Sequence, residues 1–560
     1  MAVSKLWAWF ERYGPVALLG TALIASAVAL TVAGWGTTFF QDTWAFLLDR
    51  QDFSARAFLM PHNEHIAVIP VALQKLELAL FGMATATPER VALTVAVLVS
   101  ATLLFVYVRR RLGSWPALIA AALLLFLGPA WADLLWGFQI AFVGSVLFGI
   151  AMLLALDRGD SRGDIAACLF LTLSVGFSSL GLSFLVGAAA DIVQRRRSHG
   201  LKRAYLVAIP ALLYAAWWVG WGHEAERHIT LSNILTSPVY VLEGMATAVE
   251  ALLGLNKSSA ASSVPPDWGV PILVALIALV VYAQLRKPGF SPRFWPVAIA
   301  ATTNWLLAAF NFVPGREAYQ DRYLYAGGVF VLLLATELLR GVRFSRRGLI
   351  VAGAVAVVAV ASNLVPLRHG SDWLKEQTVL TRSDLAAMEI ASRTIQPDFS
   401  LASPEVTGTA SLAIVEAGKY FEARHRWGSP AYSPAELESA PEPGRHYADV
   451  VLASALPIST MTRPGAFHTR PPAGKRCVVL PGGAASERLE VPLSSGLAKI
   501  ELASGPHAAF SLRRFAADEF PVLTPGASGD SVTVLRIPRD NATQPWYLHV
   551  EAQQQARVCL

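Results

Sequence analysis

The sequence predicts an α-helical polytopic membrane protein of about eleven transmembrane helices, followed by a C-terminal β-sandwich-like domain outside the bilayer. Three observations predict it. Of 560 residues, 54% are hydrophobic and only 15% charged, where a soluble domain carries about 25% charged residues. Runs of about 18 to 22 apolar residues recur through the first two-thirds of the chain, the length that crosses a ~30 Å hydrocarbon core at 1.5 Å per residue. After Pro397 the pattern changes to short strand-like runs separated by Gly, Pro and Ser.

The expected spans lie at about 15–36, 90–108, 115–132, 139–156, 165–177, 181–193, 204–221, 268–285, 294–313, 323–339 and 348–366. The fifth and sixth are short and joined by the bend Ser178-Ser179-Leu180-Gly181, so they read as two spans or as one re-entrant hairpin. Ile66 to Phe81 contains Lys75 and Glu77 and reads as an interfacial amphipathic helix. The first apolar run has no small-residue cleavage site after it and is expected to be a retained helix.

Positive residues set the orientation. Arg109, Arg110 and Arg111 follow the second span, Arg195, Arg196, Arg197, Lys202 and Arg203 the sixth. Arg286, Lys287 and Arg293 follow the eighth, and Arg340, Arg343, Arg346 and Arg347 the tenth. All fall on one side together with Lys5 and Arg12, and the positive-inside rule makes that side the cytoplasm. An odd number of spans then puts the tail outside. The net charge of +6 is a topology signal, and no nucleic-acid partner is implied. The expected domains are residues 1–366 in the membrane, with external loops at about 37–89 and 223–267, and residues 367–560 outside.

In the tail, Asp384 to Thr394 is helix-like, and strands are expected at Glu487 to Leu493, Leu497 to Leu502, Ala509 to Arg513, Ser531 to Ile537 and Trp546 to Val550. Cys168 lies in an apolar span and reads as packing. Cys477 and Cys559 each adjoin a β-like run in the external domain, where an oxidising compartment permits a disulfide. Such a bridge contributes about 4 kcal/mol in the chain-entropy picture.

No Walker loop and no Gly-x-Gly-x-x-Gly after a strand is present, so a nucleotide has no visible cradle. Nor does any apolar run carry an ionisable residue near its middle, where an ion-coupled transporter holds substrate and ion. Acids, histidines and arginines gather instead at the external ends. Asp42 follows the first span and is placed as a general base, or as a cap of the next helix. His62-Asn63-Glu64-His65 follows in the same loop. His62, Glu64 and His65 offer donors that suit a divalent metal, with His62 and His65 on one face of a helical turn, but no further ligand is evident. A polar cluster that fixes the loop or contacts a sugar is the other reading. Arg316 and Arg322, just before Tyr323, are placed to grip a phosphate or to snorkel at the interface. Asp133, Trp136 and Gln139 form a shorter external turn.

This layout resembles the GT-C superfamily of membrane glycosyltransferases, which includes the protein mannosyltransferases and the lipid A aminoarabinose transferases. The resemblance rests on the long first external loop with Asp42 just past the first span, the many further spans, the loop with Arg316 and Arg322, and the C-terminal external domain. It implies a bacterial plasma-membrane enzyme moving a sugar from a polyprenyl-phosphate donor to an external glycan, lipid or protein hydroxyl, with inversion. By the same resemblance Asp42 is the base, and Arg316 and Arg322 hold the departing phosphate; from their place in the external clusters Glu64 is the second candidate for the base, and His62, Asn63, His65 and Tyr323 are candidate substrate contacts. Where family members carry paired acids after the first span, Gln41 precedes a lone Asp42 here. Two other classes remain open: a lipid-linked glycan flippase, and a non-catalytic assembly protein.

Overall fold

The computed structural model describes residues 2–194, 200–257, 264–286, 289–402, 409–464, 477–480, 487–493, 496–502, 508–517, 520–521, 531–552 and 555–559. Arg195, Arg196, Arg197 and Lys287 of the positive clusters lie outside them. The chain divides into two compact units: residues 1–37, 52–80 and 86–374, and residues 38–51, 81–85 and 375–560.

Helices occupy every expected span. They are α1 (Ala2–Ala33), α2 (Asp42–Asp49), α3 (Ala55–Leu59), α4 (Val68–Phe81), α5 (Thr87–Leu112), α6 (Ser114–Leu125), α7 (Trp131–Leu135), α8 (Ile140–Leu156), α9 (Ser161–Phe177) and α10 (Gly181–Gln194). There follow α11 (Tyr205–Gly220), α12 (Leu231–Leu252), α13 (Gly269–Arg286), α14 (Phe294–Phe310), α15 (Leu324–Leu338) and α16 (Arg346–Ile390). Among the described residues five helices are long and apolar enough to cross a membrane, and α6 with the turn leading into α7 makes a sixth, bent by 41°. The chain is a membrane protein.

Two expectations need correction. The helix of the last expected span does not stop near residue 366: α16 continues beyond that span as one helix of 45 residues, through Pro366, and absorbs most of the helix expected at 384–394. The second external loop, expected as helix followed by loop, holds one helix of 22 residues, α12, which Thr230 caps by accepting from the Asn233 amide and which continues through Pro238. The stretch after Pro397 is helical before it is stranded, with α17 (Ala417–Trp427), α18 (Pro434–Glu438) and α19 (Glu442–Ala455). Helical periodicity was present there: Ala417, Tyr420 and Ala423 are buried at three-residue spacing, and Ser433 and Glu436 form a capping box.

Small residues let the membrane helices approach closely. A methyl on Gly187 of α10 would meet the Pro296 carbonyl oxygen of α14 at 2.7 Å, and one on Gly244 of α12 would strike the Trp305 indole at 2.6 Å. One end of this unit carries a buried charge network. The Arg111 guanidinium donates to both Asp157 carboxylate oxygens at 3.0 and 3.1 Å and to Glu337, which also accepts from the Tyr107 and Ser291 hydroxyls at 2.6 Å. Arg293 reaches Asp157 at 3.1 Å and Arg340 reaches Glu337 at 3.8 Å. Members of three positive clusters therefore meet at one end of the bundle, two of them buried against acids rather than facing lipid headgroups.

Among its described residues the second unit holds nine strands: β1 (Ser459–Pro464), β2 (Cys477–Leu480), β3 (Glu487–Leu493), β4 (Gly496–Leu502), β5 (Ala508–Arg513), β6 (Phe520–Pro521), β7 (Ser531–Ile537), β8 (Trp546–Ala552) and β9 (Ala556–Cys559). They form antiparallel sheets in the orders β1-β7-β4-β9-β2 and β3-β8-β5-β6. Trp546, Leu548 and Val550 alternate inward along β8. Cys477 and Cys559, opposite each other in the β2–β9 register, are joined by a disulfide. Asp449 of α19 accepts from the amides of Arg514, Phe515 and Ala516, and Arg514 forks onto Asp540 at 2.6 and 3.1 Å with both side chains 4% exposed.

The same unit includes residues 38–51 of the first loop. The Thr38 amide donates to the Thr378 hydroxyl at 3.1 Å, the Gln41 amide to Ser411 at 3.3 Å, and Lys419 pairs with Asp49 at 2.8 Å. Trp44, Leu47 and Leu48 of α2 are buried there.

Candidate functional site

His62 and His65 exchange both backbone hydrogen bonds, at 2.9 and 2.8 Å, so His62-Asn63-Glu64-His65 is a tight β-type turn rather than a turn of helix. Asn63 carries the turn with φ +49°, a left-handed conformation that asparagine tolerates better than most residues. The Asn63 carbonyl accepts from the Glu226 amide at 3.1 Å, which ties this loop to the 222–230 loop, and Trp217 of α11 donates to the Leu59 carbonyl at 2.7 Å. Glu64 occupies the tip.

The partner of Glu64 comes from a second turn. Val313-Pro314-Gly315-Arg316 closes with the Arg316 amide on the Val313 carbonyl at 2.9 Å; Gly315 at φ +88° supplies the conformation that an L side chain resists. Tyr240 donates to the Arg316 carbonyl at 2.9 Å, and the Arg316 Nη1 then reaches both Glu64 oxygens at 3.0 and 2.9 Å. Glu226 lies 3.8 Å from the Arg316 Nη2. Arg322, in the 3-10 turn Asp321–Tyr323, donates to the Gly315 carbonyl at 2.8 Å and lies over the Tyr323 ring. Its Nε is buried without a hydrogen-bond partner.

Glu64, His65, Arg316, Arg322 and Tyr323 line one cavity of about 330 Å³, with Glu226 and Arg227 at the same charged end. Its other walls are mostly apolar and aromatic, among them Phe142, Leu182, Trp218 and Trp305, with a few neutral polar side chains such as Ser183 and Asn304. Asn63 and His62 build the turn behind Glu64 and are not among its lining residues, the His62 ring resting against Phe138 at 5.0 Å. The Asp133 carboxylate accepts from the Tyr325 amide at 3.2 Å, at the start of α15. Asp42 belongs to the other unit, where it opens α2 behind Gln41, itself at φ +41°. Gln41 and not Asp42 holds the N-cap position, and Asp42 sits in the first turn, where the helix dipole favours a negative charge.

Sequence reasoning missed Glu226 and Arg227. The run His223-Glu224-Ala225-Glu226-Arg227-His228, dense in charge between two apolar segments, was the available signal.

Burial alone would raise the Glu64 pKa; the charges of His65 and Arg316, with hydrogen bonds from its own backbone and from Arg316, outweigh it and hold the carboxyl below its ordinary value. At Asp321 burial wins instead: it pushes the carboxyl up to about 6 against the opposing pull of the Arg322 amide and charge. A depressed folded pKa means that the stability Glu64 contributes is present above its unfolded value of 4.5 and is lost as the pH falls below it. The melting temperature is therefore expected to drop as the pH is lowered from about 5 to about 3, and Glu64→Gln to make that drop shallower. Equal slopes in the two proteins would contradict the pairing.

Among the described residues no three His, Cys, Asp or Glu side chains are placed to hold a metal ion. The His65 Nε2 lies 3.5 Å from the Glu64 carboxylate, which is engaged by Arg316, while the His62 ring rests against Phe138, so the three do not form a ligand set.

Bundle and cavity define a polytopic membrane protein whose cavity joins a charged rim to apolar walls. No protein-family model matches the chain, and no curated protein matches it. Among solved structures it is similar to ArnT from Cupriavidus metallidurans bound to undecaprenyl phosphate, at 14% identity and a TM-score of 0.44 over 70% of this chain and 82% of that one. It is also similar to the Archaeoglobus fulgidus oligosaccharyltransferase tethered with an acceptor peptide, at 14% identity and 0.43 over 76% of this chain and 60% of that one. The Archaeoglobus fulgidus oligosaccharyltransferase AglB in complex with an inhibitory peptide and a dolichol-phosphate aligns at 14% and 0.41, over 69% and 59%.

Proposed function

We propose that the chain is a membrane glycosyltransferase that moves a hexosyl or pentosyl group from a polyprenyl-phosphate donor to an extracytoplasmic hydroxyl, with inversion at the anomeric carbon. One observation carries the reading: Arg316 and Arg322 stand with Glu64 at the loop end of a cavity whose remaining walls are mostly apolar and uncharged. An anionic headgroup on a long hydrocarbon chain needs such a pairing of charge and apolar surface. In the step, the acceptor oxygen attacks the anomeric carbon, the bond from that carbon to the phosphate oxygen breaks, and a carboxylate takes the hydroxyl proton. Arg322, with a donor still uncommitted, and Arg316, after exchanging Glu64 for phosphate, stabilise the charge that develops on the leaving group. Asp42 is the base the sequence resemblance supports, and Glu64 is the second candidate.

The test is binding of farnesyl phosphate to purified protein. A guanidinium grips phosphate with two parallel hydrogen bonds that lysine cannot reproduce. Arg322→Lys and Arg316→Lys are therefore expected to weaken binding by roughly 1.5–3 kcal/mol each. Equal affinity in all three proteins would sink the reading.

The orientation proposed with it has the N-terminus in the cytoplasm and residues from about 367 outside. Cysteines at exposed Ser345 and Ser439 are expected to label from opposite sides of sealed cells, Ser439 from outside. Labelling of both from one side would overturn the orientation.

A further inference from the structure

The arginine-bearing loop leaves part of the cavity unexplained. Ser183, in the first turn of α10, lines the cavity fully buried, and its hydroxyl has no hydrogen-bond partner. Asn304 lines the same cavity, half-buried, from the middle of the apolar helix α14. Helices α10 and α14 touch where Gly187 meets Pro296 and Ala300. Ser183 lies one turn from Gly187 and Asn304 one turn from Ala300, both on the cavity side of that contact. Asn304 precedes Asn311 at the helix end by seven residues, which sets it about 10 Å back along α14 from the loop that carries the arginines.

The lining side chains that α10 and α14 supply are uncharged: Leu182, Ser183, Asn304, Trp305, Leu307 and Ala308. An anion at that depth would lose its hydration with no cation to replace it. A hydroxyl-bearing neutral group would instead meet the unsatisfied serine oxygen and the amide, with the buried Trp305 beside it as an apolar face. We infer that Ser183 and Asn304 form a subsite for an uncharged, hydroxyl-rich ring, a sugar, separate from the arginines that hold phosphate. The inference deepens the function proposed above and rests on it for the position of the phosphate.

Protein in detergent micelles is titrated with farnesyl phosphate, with farnesyl phosphates carrying β-linked glucose, mannose or arabinose, and with the methyl glycosides of those sugars. At least one sugar-bearing lipid is expected to bind about tenfold more tightly than bare farnesyl phosphate, the scale of one or two neutral hydrogen bonds. Ser183→Ala and Asn304→Leu each erase that gain and leave the affinity for bare farnesyl phosphate unchanged. Where the variants lose methyl-glycoside binding instead, the subsite takes the sugar of an acceptor rather than of the donor. The inference is overturned if no sugar adds affinity in either form, or if the gain survives in both variants. Failure of the wild type to bind farnesyl phosphate removes the phosphate site, and the methyl-glycoside arm then judges the subsite alone. Asn304→Leu should melt no lower than wild type, since a polar group turned to a cavity stabilises no packing; a lower melting temperature would make Asn304 a packing residue and overturn its role.

Discussion

Asp42→Asn is expected to reduce sugar transfer by about 10²–10⁴, the range general-base catalysis supplies, while protein level and farnesyl phosphate affinity stay near wild type. Asparagine preserves the size of the side chain and its place in the first turn of α2, so α2 and its buried Trp44 should remain folded. What it removes is the ability to accept a proton. The measurement is single-turnover transfer from a radiolabelled polyprenyl-phosphate sugar in membranes. Retention of more than about a tenth of the rate, well outside the loss expected of a base, would leave Asp42 structural and shift the assignment to Glu64. A parallel Glu64→Gln series distinguishes the two, because Glu64 already holds Arg316 and its loss should disturb lipid-phosphate binding as well as rate.

Asp540→Ala is expected to destabilise the second unit by about 3–5 kcal/mol, the cost of leaving a buried charge without its partner. The Arg514 guanidinium donates to both Asp540 oxygens and to the Gln544 carbonyl at 3.0 and 2.7 Å, and both charged side chains are 4% exposed. Native-state hydrogen exchange of the β8 amides, which lie just beyond Gln544 in sequence, reads the effect locally. A loss below about 1 kcal/mol would mean that the carbonyls alone satisfy the guanidinium, as neutral hydrogen bonds of ordinary strength can.

The apolar runs were legible because a bilayer demands about twenty consecutive apolar residues whatever the neighbours do. Strands β3, β5, β7 and β8 were legible from their alternation, and each begins within a residue of its expected start. Helices α17 to α19 were not: their buried positions are mostly alanine, glycine and tyrosine, which carry little hydrophobic signal, and turn residues on either side suggested strands. Glu64, His65, Arg316, Arg322 and Tyr323 were picked out individually by charge and position, but the sequence gives no sign that Glu64 and Arg316, 252 residues apart, touch. The 313–316 turn and the left-handed Asn63 bring them together. Ser183 was invisible for a different reason: a serine in an apolar helix usually bonds its own backbone, and only the packed structure shows that this one does not.

Helix α2 has a consequence for how the protein is made. The partners of α2 and of the residues leading into it lie far along the chain: Thr378 is 340 residues after Thr38, Ser411 is 370 after Gln41, and Lys419 is 370 after Asp49. At ribosomal speeds of about 5–20 residues per second, the segment emerges on the order of half a minute before anything can cover it. During that interval Trp44, Phe46, Leu47 and Leu48 have no core to enter. Nascent chains should therefore pass through a window in which residues 38–51 are bound by a chaperone or open to protease. A chain stopped after residue 374 would complete every expected membrane span yet never leave that window.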